Sequence, residues 1–180
     1  MSLTFPILML PPFPLLCSYC AGDHVGVYPQ NETWAVEAAA RCLGIPLETR
    51  FELEVEEKGA TQVSPFPGPC SLRTALSCYA DLLSPPKKAA LTALAAHGAS
   101  KQEAERLRHL ASPKGKAEYA AWVVEGQRSL VEVMEAFPSC HPPLEVFFAA
   151  VAPRLQPRLY SISSSQRYTL STLLTPPPAP

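Results

Sequence analysis

The stretch that decides the fold is "GKAEYAAWVVEGQRSLVEVMEAF", residues Gly115 to Phe137. Its apolar residues recur every three or four positions, which is the spacing of one face of an α-helix. They are Tyr119, Trp122, Val123, Gly126, Leu130, Val133, Met134 and Phe137. Charged residues take the other faces, so the stretch predicts one long amphipathic helix. A stripe of aromatic residues and methionine is more typical of a packed core than of a cofactor site, and we assign it to the core.

The same helical periodicity extends back from this stretch to Ser71. Ser84 stands before two prolines and predicts a helix N-cap with proline in the first turn. Ser100 and Glu103 predict a capping box at the start of the next helix. After the loop "PSCHPP", residues 144–152 predict a short buried helix. The chain from Ser71 to Ala152 is therefore predicted to be helical throughout, apart from its loops. The repeating apolar residues at the start are Leu72, Ala75, Leu76, Tyr79 and Leu83.

Strand patterns occur only outside this helical span. In "GDHVGVYPQ", Val25 and Val27 alternate and Pro29 ends the pattern, which predicts a short strand. The next segment, "NETWAVEAAARCLG", predicts a helix with Asn31 as the N-cap and Gly44 as the stop. Three more segments have recognisable patterns: "LETRFELEV" (47–55) predicts a strand, "SPFPGPC" (64–70) a loop and "RLYSISSS" (158–165) a strand.

Composition excludes some classes of function. The net charge of the 180 residues is −1, which gives no electrostatic reason to expect binding to nucleic acid or to an anionic membrane surface. Of the six cysteines, only Cys17 and Cys20 form a CxxC pair. His24 could add a third ligand, but zinc needs four. We therefore expect free thiols and no metal site.

The two ends of the chain differ from its middle. The first charged residue is Asp23 and the last is Arg167. Prolines interrupt the apolar start, which argues against both a signal peptide and a membrane span of about 20 helical residues. We expect residues 1–21 and 166–180 to be disordered. The interrupting prolines are Pro6, Pro11, Pro12 and Pro14.

Four segments together resemble a known family. They are "HVGVYPQN", "LRTALSCYADLLSPPKKAALTALAAH", "EYAAWVVEGQRSLVEVMEAFPS" and "PPLEVFFAAVAPRLQPRLYSISSS", in this order. They closely resemble NADPH–haemoprotein reductases, the diflavin donors to microsomal cytochromes P-450, and the plant form in particular. In that family an FMN-binding flavodoxin-like domain precedes an FAD-binding antiparallel barrel, a helical connecting insertion and an NADPH domain. Hydride passes from NADPH to FAD, and single electrons then pass to FMN and to the haem protein.

This resemblance, which covers about Gly22 to Ser165, implies an α+β fold. A mainly α-helical connecting domain, residues 71–152, would be flanked by fragments of the antiparallel FAD-binding barrel of ferredoxin-reductase type. Residues 22–70 would be one barrel fragment with the start of the insertion, and residues 153–165 would be the strand where the barrel resumes. Residues 1–21 and 166–180 have no counterpart in the resemblance.

The resemblance also assigns roles within "PRLYSISSS". Arg158 matches the arginine that holds the FAD pyrophosphate, Tyr160 the tyrosine stacked on the isoalloxazine, and Ser161 the serine near its reactive edge. The residue types suit these roles, because a guanidinium offers a planar fork of donors and a residue two positions on shares its strand face. Leu159 replaces a second tyrosine that is common there. Arg128 lies at the position where the family's connecting helix approaches the FAD phosphates. It is expected to point away from the apolar stripe, where a ligand and solvent are equally good partners for its guanidinium.

The function implied is that of part of a reductase. No segment resembles the FMN or NADPH domain, so we expect a partial FAD site here and FMN and NADPH sites only in the intact family. The resemblance begins near Gly22 and ends near Ser165. The change of sequence at these two junctions is typical of a truncated or alternatively spliced product, or of a gene model that continues into non-coding sequence. The activity of this chain alone stays open, and the alternative is a non-enzymatic helical docking module or an inactive product. The implied partners are the flavodoxin-like domain and cytochromes P-450. The implied location is the cytosolic face of the endoplasmic reticulum, or the cytosol if only this fragment is made.

Overall fold

The computed structural model describes residues 20–53 and 66–163. The expected disorder of both ends concerns residues that lie mostly outside these ranges. Cys17 and the later parts of the predicted strands 47–55 and 158–165 also lie outside them. The chain divides into two compact units, and Tyr28–Arg158 form the larger one. The described residues of the smaller unit are 20–27 and 159–163.

Helices dominate the described residues. They are α1 (Thr33–Leu43), α2 (Leu72–Cys78), α3 (Lys88–Ala96), α4 (Lys101–Ala111), α5 (Lys116–Tyr119), α6 (Leu130–Ala136) and α7 (Leu144–Val146). Two π-helical segments, Ala120–Glu125 and Phe147–Val151, continue α5 and α7. The strands are β1 (His24–Val27), β2 (Arg50–Phe51), β3 (Cys70–Ser71) and β4 (Arg158–Ser161).

Two small sheets complete the described structure. β1 pairs with β4, and β2 pairs antiparallel with β3, with Phe51 opposite Cys70. Thus a strand is confirmed within each of the predicted segments 22–30 and 158–165, at His24–Val27 and Arg158–Ser161. The predicted loop 64–70 ends one residue early, because Cys70 already pairs with β2. The α+β class is confirmed, and no closed barrel occurs in residues 20–53 and 66–163.

The core of the larger unit lies between the helices. Helix α1 packs against α2 and α6, while α3 packs against α4 and the π-helical segment Phe147–Val151. Most of the predicted apolar stripe contributes to this core: Val123, Leu130, Val133 and Met134 are at most 1% exposed. Near β2, the rings of Phe51, Phe66 and Phe148 contact one another with centroids 5.0–5.9 Å apart.

The single helix predicted from Gly115 to Phe137 is wrong. The chain turns after Gly126, where Gln127 has a φ of 47°. A new helix then begins, because Ser129 and Glu132 cap it reciprocally. The Ser129 hydroxyl accepts the Glu132 N–H at 3.2 Å, and the Ser129 N–H donates to the Glu132 carboxylate at 2.7 Å. This capping box fixes the start of α6.

Asn31 is not the N-cap of α1. The cap position is taken by Glu32, which makes no side-chain cap bond. The Asn31 amide instead donates to the carbonyls of Leu76 and Ala80, both at 2.7 Å. Gly44 does end the helix as predicted, in the left-handed region with a φ of 70°. The asparagine therefore stabilises a contact between distant segments, not a helix end.

The predicted cap at Ser84 is also wrong, since α3 begins at Lys88, beyond both prolines. A residue before proline disfavours the helical conformation, and Ser84 and Pro85 both precede one. The segment is held instead by Asp81, whose carboxylate accepts the Ser84 N–H at 3.0 Å. A backbone bond from the Leu130 N–H to the Ser84 carbonyl, at 3.1 Å, ties it to α6.

The capping box predicted for α4 forms only in part. The Ser100 hydroxyl accepts the Glu103 N–H at 3.4 Å, so Ser100 is the N-cap as expected. The Glu103 carboxylate, however, accepts the N–H and the hydroxyl of Ser139, at 3.0 and 2.8 Å. A tertiary contact has taken the place of the return bond to the cap.

Candidate functional site

Strand β4 presents the side chains assigned to the cofactor by the sequence. All four residues, Arg158, Leu159, Tyr160 and Ser161, are exposed. Alternation along the strand places Arg158 and Tyr160 on one face and Leu159 and Ser161 on the other. Tyr160 is 52% exposed and Leu159 69%. An aromatic ring and a guanidinium therefore share one open face.

The Arg158 guanidinium is available for a ligand. Among the described residues, no carboxylate lies within ion-pair range of it. The planar fork of donors on an arginine side chain suits a phosphate. An exposed arginine beside an exposed tyrosine ring can hold an anion and a flat ring system at the same time.

Strand β1 fixes the position of β4. The Ile162 N–H donates to the Asp23 carbonyl at 2.7 Å, and the Gly22 N–H donates to the Ile162 carbonyl at 2.9 Å. The Ser161 hydroxyl lies 3.2 Å from Nε2 of His24. His24 thus orients the serine hydroxyl. The sequence indicated His24 only as a possible metal ligand. Its contact with Ser161 could not be predicted, because the pairing of two strands so distant in sequence leaves no local pattern.

Arg128 lies in the turn before α6, in the larger unit. Its guanidinium carbon is 4.9 Å from the centroid of the Trp122 ring, a cation–π contact. The expectation that Arg128 points away from the apolar stripe is therefore wrong, since Trp122 belongs to that stripe. The break in the helix after Gly126 brings the two side chains together, and a continuous helix would have separated them.

The described part of the chain offers neither a cluster of metal ligands nor a disulfide. No group of three or more His, Cys, Asp or Glu residues there could hold a metal ion. The described cysteines are free thiols, and burial raises the pKa of Cys42, Cys70, Cys78 and Cys140. These four are therefore protonated at neutral pH. Nor is any described helix both long and apolar enough to cross a bilayer.

Comparison with known proteins identifies the family of the chain. The chain belongs to the FAD binding domain family, whose model matches residues 16–173. It is also similar to NADPH–cytochrome P450 reductases. The rabbit (Oryctolagus cuniculus), human (Homo sapiens) and fly (Drosophila melanogaster) proteins are each 38% identical to it over 151 residues. The resemblance to the reductase family, stated from the four sequence segments, is thus confirmed, and the particular likeness to the plant form stays a prediction. The match covers 83% of the chain but only 22% of the length of these relatives.

Proposed function

We propose that β4 supplies part of the FAD site of an NADPH–haemoprotein reductase. The observation that carries the proposal is the open strand face shared by Arg158 and Tyr160. The family match supports FAD as the ligand. In this role Arg158 holds the pyrophosphate and the Tyr160 ring packs on the isoalloxazine. Both contacts suit the exposed side chains without any rearrangement of the strand.

Three further residues complete the proposed role of this chain. Ser161 follows Tyr160 at the reactive edge of the flavin; its hydroxyl lies on the opposite strand face from the Tyr160 ring, 3.2 Å from Nε2 of His24. Leu159 faces the other side of the strand and offers no phenol to the cofactor. Arg128 adds a second positive charge for the phosphates, with Trp122 holding its guanidinium in place. FAD, when bound, supplies the conversion of two-electron hydride transfer into single-electron transfer.

The names of the relatives extend the proposal to a whole protein. We infer an electron path from NADPH through FAD and FMN to cytochromes P-450, at the cytosolic face of the endoplasmic reticulum. The chain spans 22% of the length of the reductases that it matches. In such a protein, residues 71–152 form the helical body that orients the flavodoxin-like domain relative to the FAD site.

A second candidate function is a helical docking module that binds a flavodoxin-like partner without catalysis. It is favoured by the continuous apolar core, which involves helices α1–α4 and α6 together with the segment Phe147–Val151. Such a body needs no cofactor to be stable. A module of this kind would bind its partner equally well with and without FAD, whereas the proposed site requires FAD binding.

The FAD affinity of the 180-residue chain is expected to be weak. An aromatic stacking contact contributes about 1–3 kcal/mol. A charge-assisted hydrogen bond to phosphate contributes about 1.5–3 kcal/mol. After the costs of association and ordering, these contacts leave a dissociation constant nearer to about 1 mM than to the nanomolar range.

Equilibrium dialysis of FAD against the whole chain tests the proposal. Arg158→Ala should abolish measurable binding, because it removes the only proposed pyrophosphate contact on β4. Arg50→Ala is the matched control, since Arg50 is likewise an exposed arginine on a short strand, and it should bind FAD like the wild type. Equal affinity of Arg158→Ala and the wild type would contradict the proposal, as would complete absence of FAD binding by the wild type.

A further inference from the structure

A groove of about 550 Å³ opens on the larger unit, between residues 81–90 and residues 148–156. Its volume lies within the range of about 300–1,000 Å³ that is usual for small-molecule sites. Buried apolar side chains line it, among them Pro86, Ala90, Leu130 and Val151. Exposed small residues, among them Ala89 and Ala150, line it as well. None of the residues proposed to contact FAD is among those that line the groove.

The charged side chains that line the groove give it a positive balance. Lys87 and Arg154 are both exposed there, and neither is in an ion pair with any described carboxylate. The single acid among the lining residues is Asp81, whose carboxylate already accepts the N–H groups of Leu83 and Ser84, at 3.3 and 3.0 Å. The lining residues therefore carry two positive charges and one negative charge, and the negative carboxylate is already hydrogen-bonded to the backbone.

We propose that this groove binds a small organic anion with an apolar body, such as a medium-chain carboxylate. The apolar lining would receive the chain of the ligand, and Lys87 and Arg154 would hold its carboxylate. This ligand class follows from charge complementarity combined with an apolar surface. An uncharged molecule of the same length would lose the contacts to both cations, and a highly charged hydrophilic anion would leave the apolar lining uncovered. The proposal does not depend on FAD binding.

Octanoate and 1-octanol form a matched pair of probes for this groove. Titration of the full chain with octanoate, followed by amide chemical shifts, should perturb the residues that line the groove. Octanoate should bind about tenfold more tightly than 1-octanol, because only octanoate makes a charge-assisted contact. Equal affinities for the two probes would overturn the proposal, as would shifts confined to other surfaces.

Variants separate the two parts of the proposed site. The double variant Lys87→Gln with Arg154→Gln should lower octanoate affinity about tenfold, to the level of 1-octanol. Ala89→Trp should block both probes, since Ala89 is an exposed lining residue whose enlargement fills the groove without entering the core. Lys114→Gln removes an exposed cation that does not line the groove and should leave binding unchanged. Wild-type octanoate affinity in the double variant would overturn the proposal, and that variant alters only exposed side chains.

Discussion

The side-chain amide of Asn31 joins two carbonyls that follow it by 45 and 49 residues, those of Leu76 and Ala80. Both bonds are part-buried and 2.7 Å long. Replacement by alanine removes both donors and leaves two carbonyls with one partner fewer. We expect Asn31→Ala to lower the free energy of unfolding by about 2 kcal/mol, since a net hydrogen bond contributes about 0.5–1.5 kcal/mol. Urea unfolding monitored by circular dichroism measures the change.

Two further variants make the Asn31 test specific. Asn31→Asp keeps the shape but cannot donate when ionised, so it should cost at least as much as the alanine variant. Gln30→Ala is the neighbouring control, because the Gln30 amide makes only a 3.7 Å surface contact with the Cys78 sulfur. It should change the free energy of unfolding by less than about 0.5 kcal/mol. A wild-type stability for Asn31→Asp would show that the two hydrogen bonds contribute nothing.

The role of Asn31 could not be predicted from the sequence around it, because its partners lie on and just after helix α2. The pairing of Ser161 with His24, 137 residues apart, is hidden for the same reason. By contrast, the placement of Arg158 and Tyr160 on one strand face followed from their spacing alone. Local spacing thus predicted which side chains share a strand face, whereas the tertiary partners of Asn31 and Ser161 could not be predicted from it.

At the scale of elements, helix α6 begins with the Ser129–Glu132 capping box. Removal of an N-cap hydroxyl costs about 1 kcal/mol, so Ser129→Ala should lower the free energy of unfolding by roughly that amount. Hydrogen bonds from the backbone N–H and the hydroxyl of Ser129 lower the pKa of Glu132, and the charge of Arg128 lowers it further. A carboxyl with a lowered pKa stabilises the fold above its unfolded pKa, and this contribution is lost as pH falls through the folded pKa.

The melting temperature as a function of pH tests whether the ionised Glu132 carboxylate stabilises the fold. Glu132→Gln keeps the cap geometry but cannot ionise, so the variant should lose less stability than the wild type between about pH 5 and pH 3. Glu37→Gln is a matched control, since Glu37 is an exposed helical glutamate in no cap and no ion pair among the described residues. If Glu132→Gln and the wild type lost stability in parallel over this range, the assignment would be wrong.

The helices show which local signals predict structure well. The apolar spacing correctly identified the buried faces of α2 and α6, because burial repeats with the helical period. It could not reveal the break after Gly126, since the apolar stripe continues across the turn with nearly the same spacing. The Ser129–Glu132 pattern was readable in the sequence and would have marked the new helix start. The contact of Arg128 with Trp122 depends on that break, so the apolar spacing could not reveal it either.

At the scale of the molecule, the chain by itself is not expected to transfer electrons from NADPH. The family match over residues 16–173 is to an FAD binding domain, and hydride transfer also needs a nicotinamide held against the flavin. We expect no NADPH-dependent reduction of cytochrome c by the 180-residue chain with added FAD. A full-length relative such as the rabbit reductase is the positive control in the same assay. NADPH-dependent bleaching of FAD bound to this chain, seen by stopped flow, would contradict the prediction.

Flavin fluorescence during an FAD titration tests whether β4 binds the flavin. An electron-rich ring stacked on the isoalloxazine quenches its emission. We expect the wild-type chain to quench FAD emission saturably. Tyr160→Phe should still bind FAD, since the aromatic ring is retained. Tyr160→Ala should abolish the quenching, because the stacking contact of about 1–3 kcal/mol is lost. Circular dichroism should show unchanged helix content in both variants, as Tyr160 lies in the smaller unit and is 52% exposed. Saturable quenching of equal strength by Tyr160→Ala would contradict the claim that β4 binds the flavin.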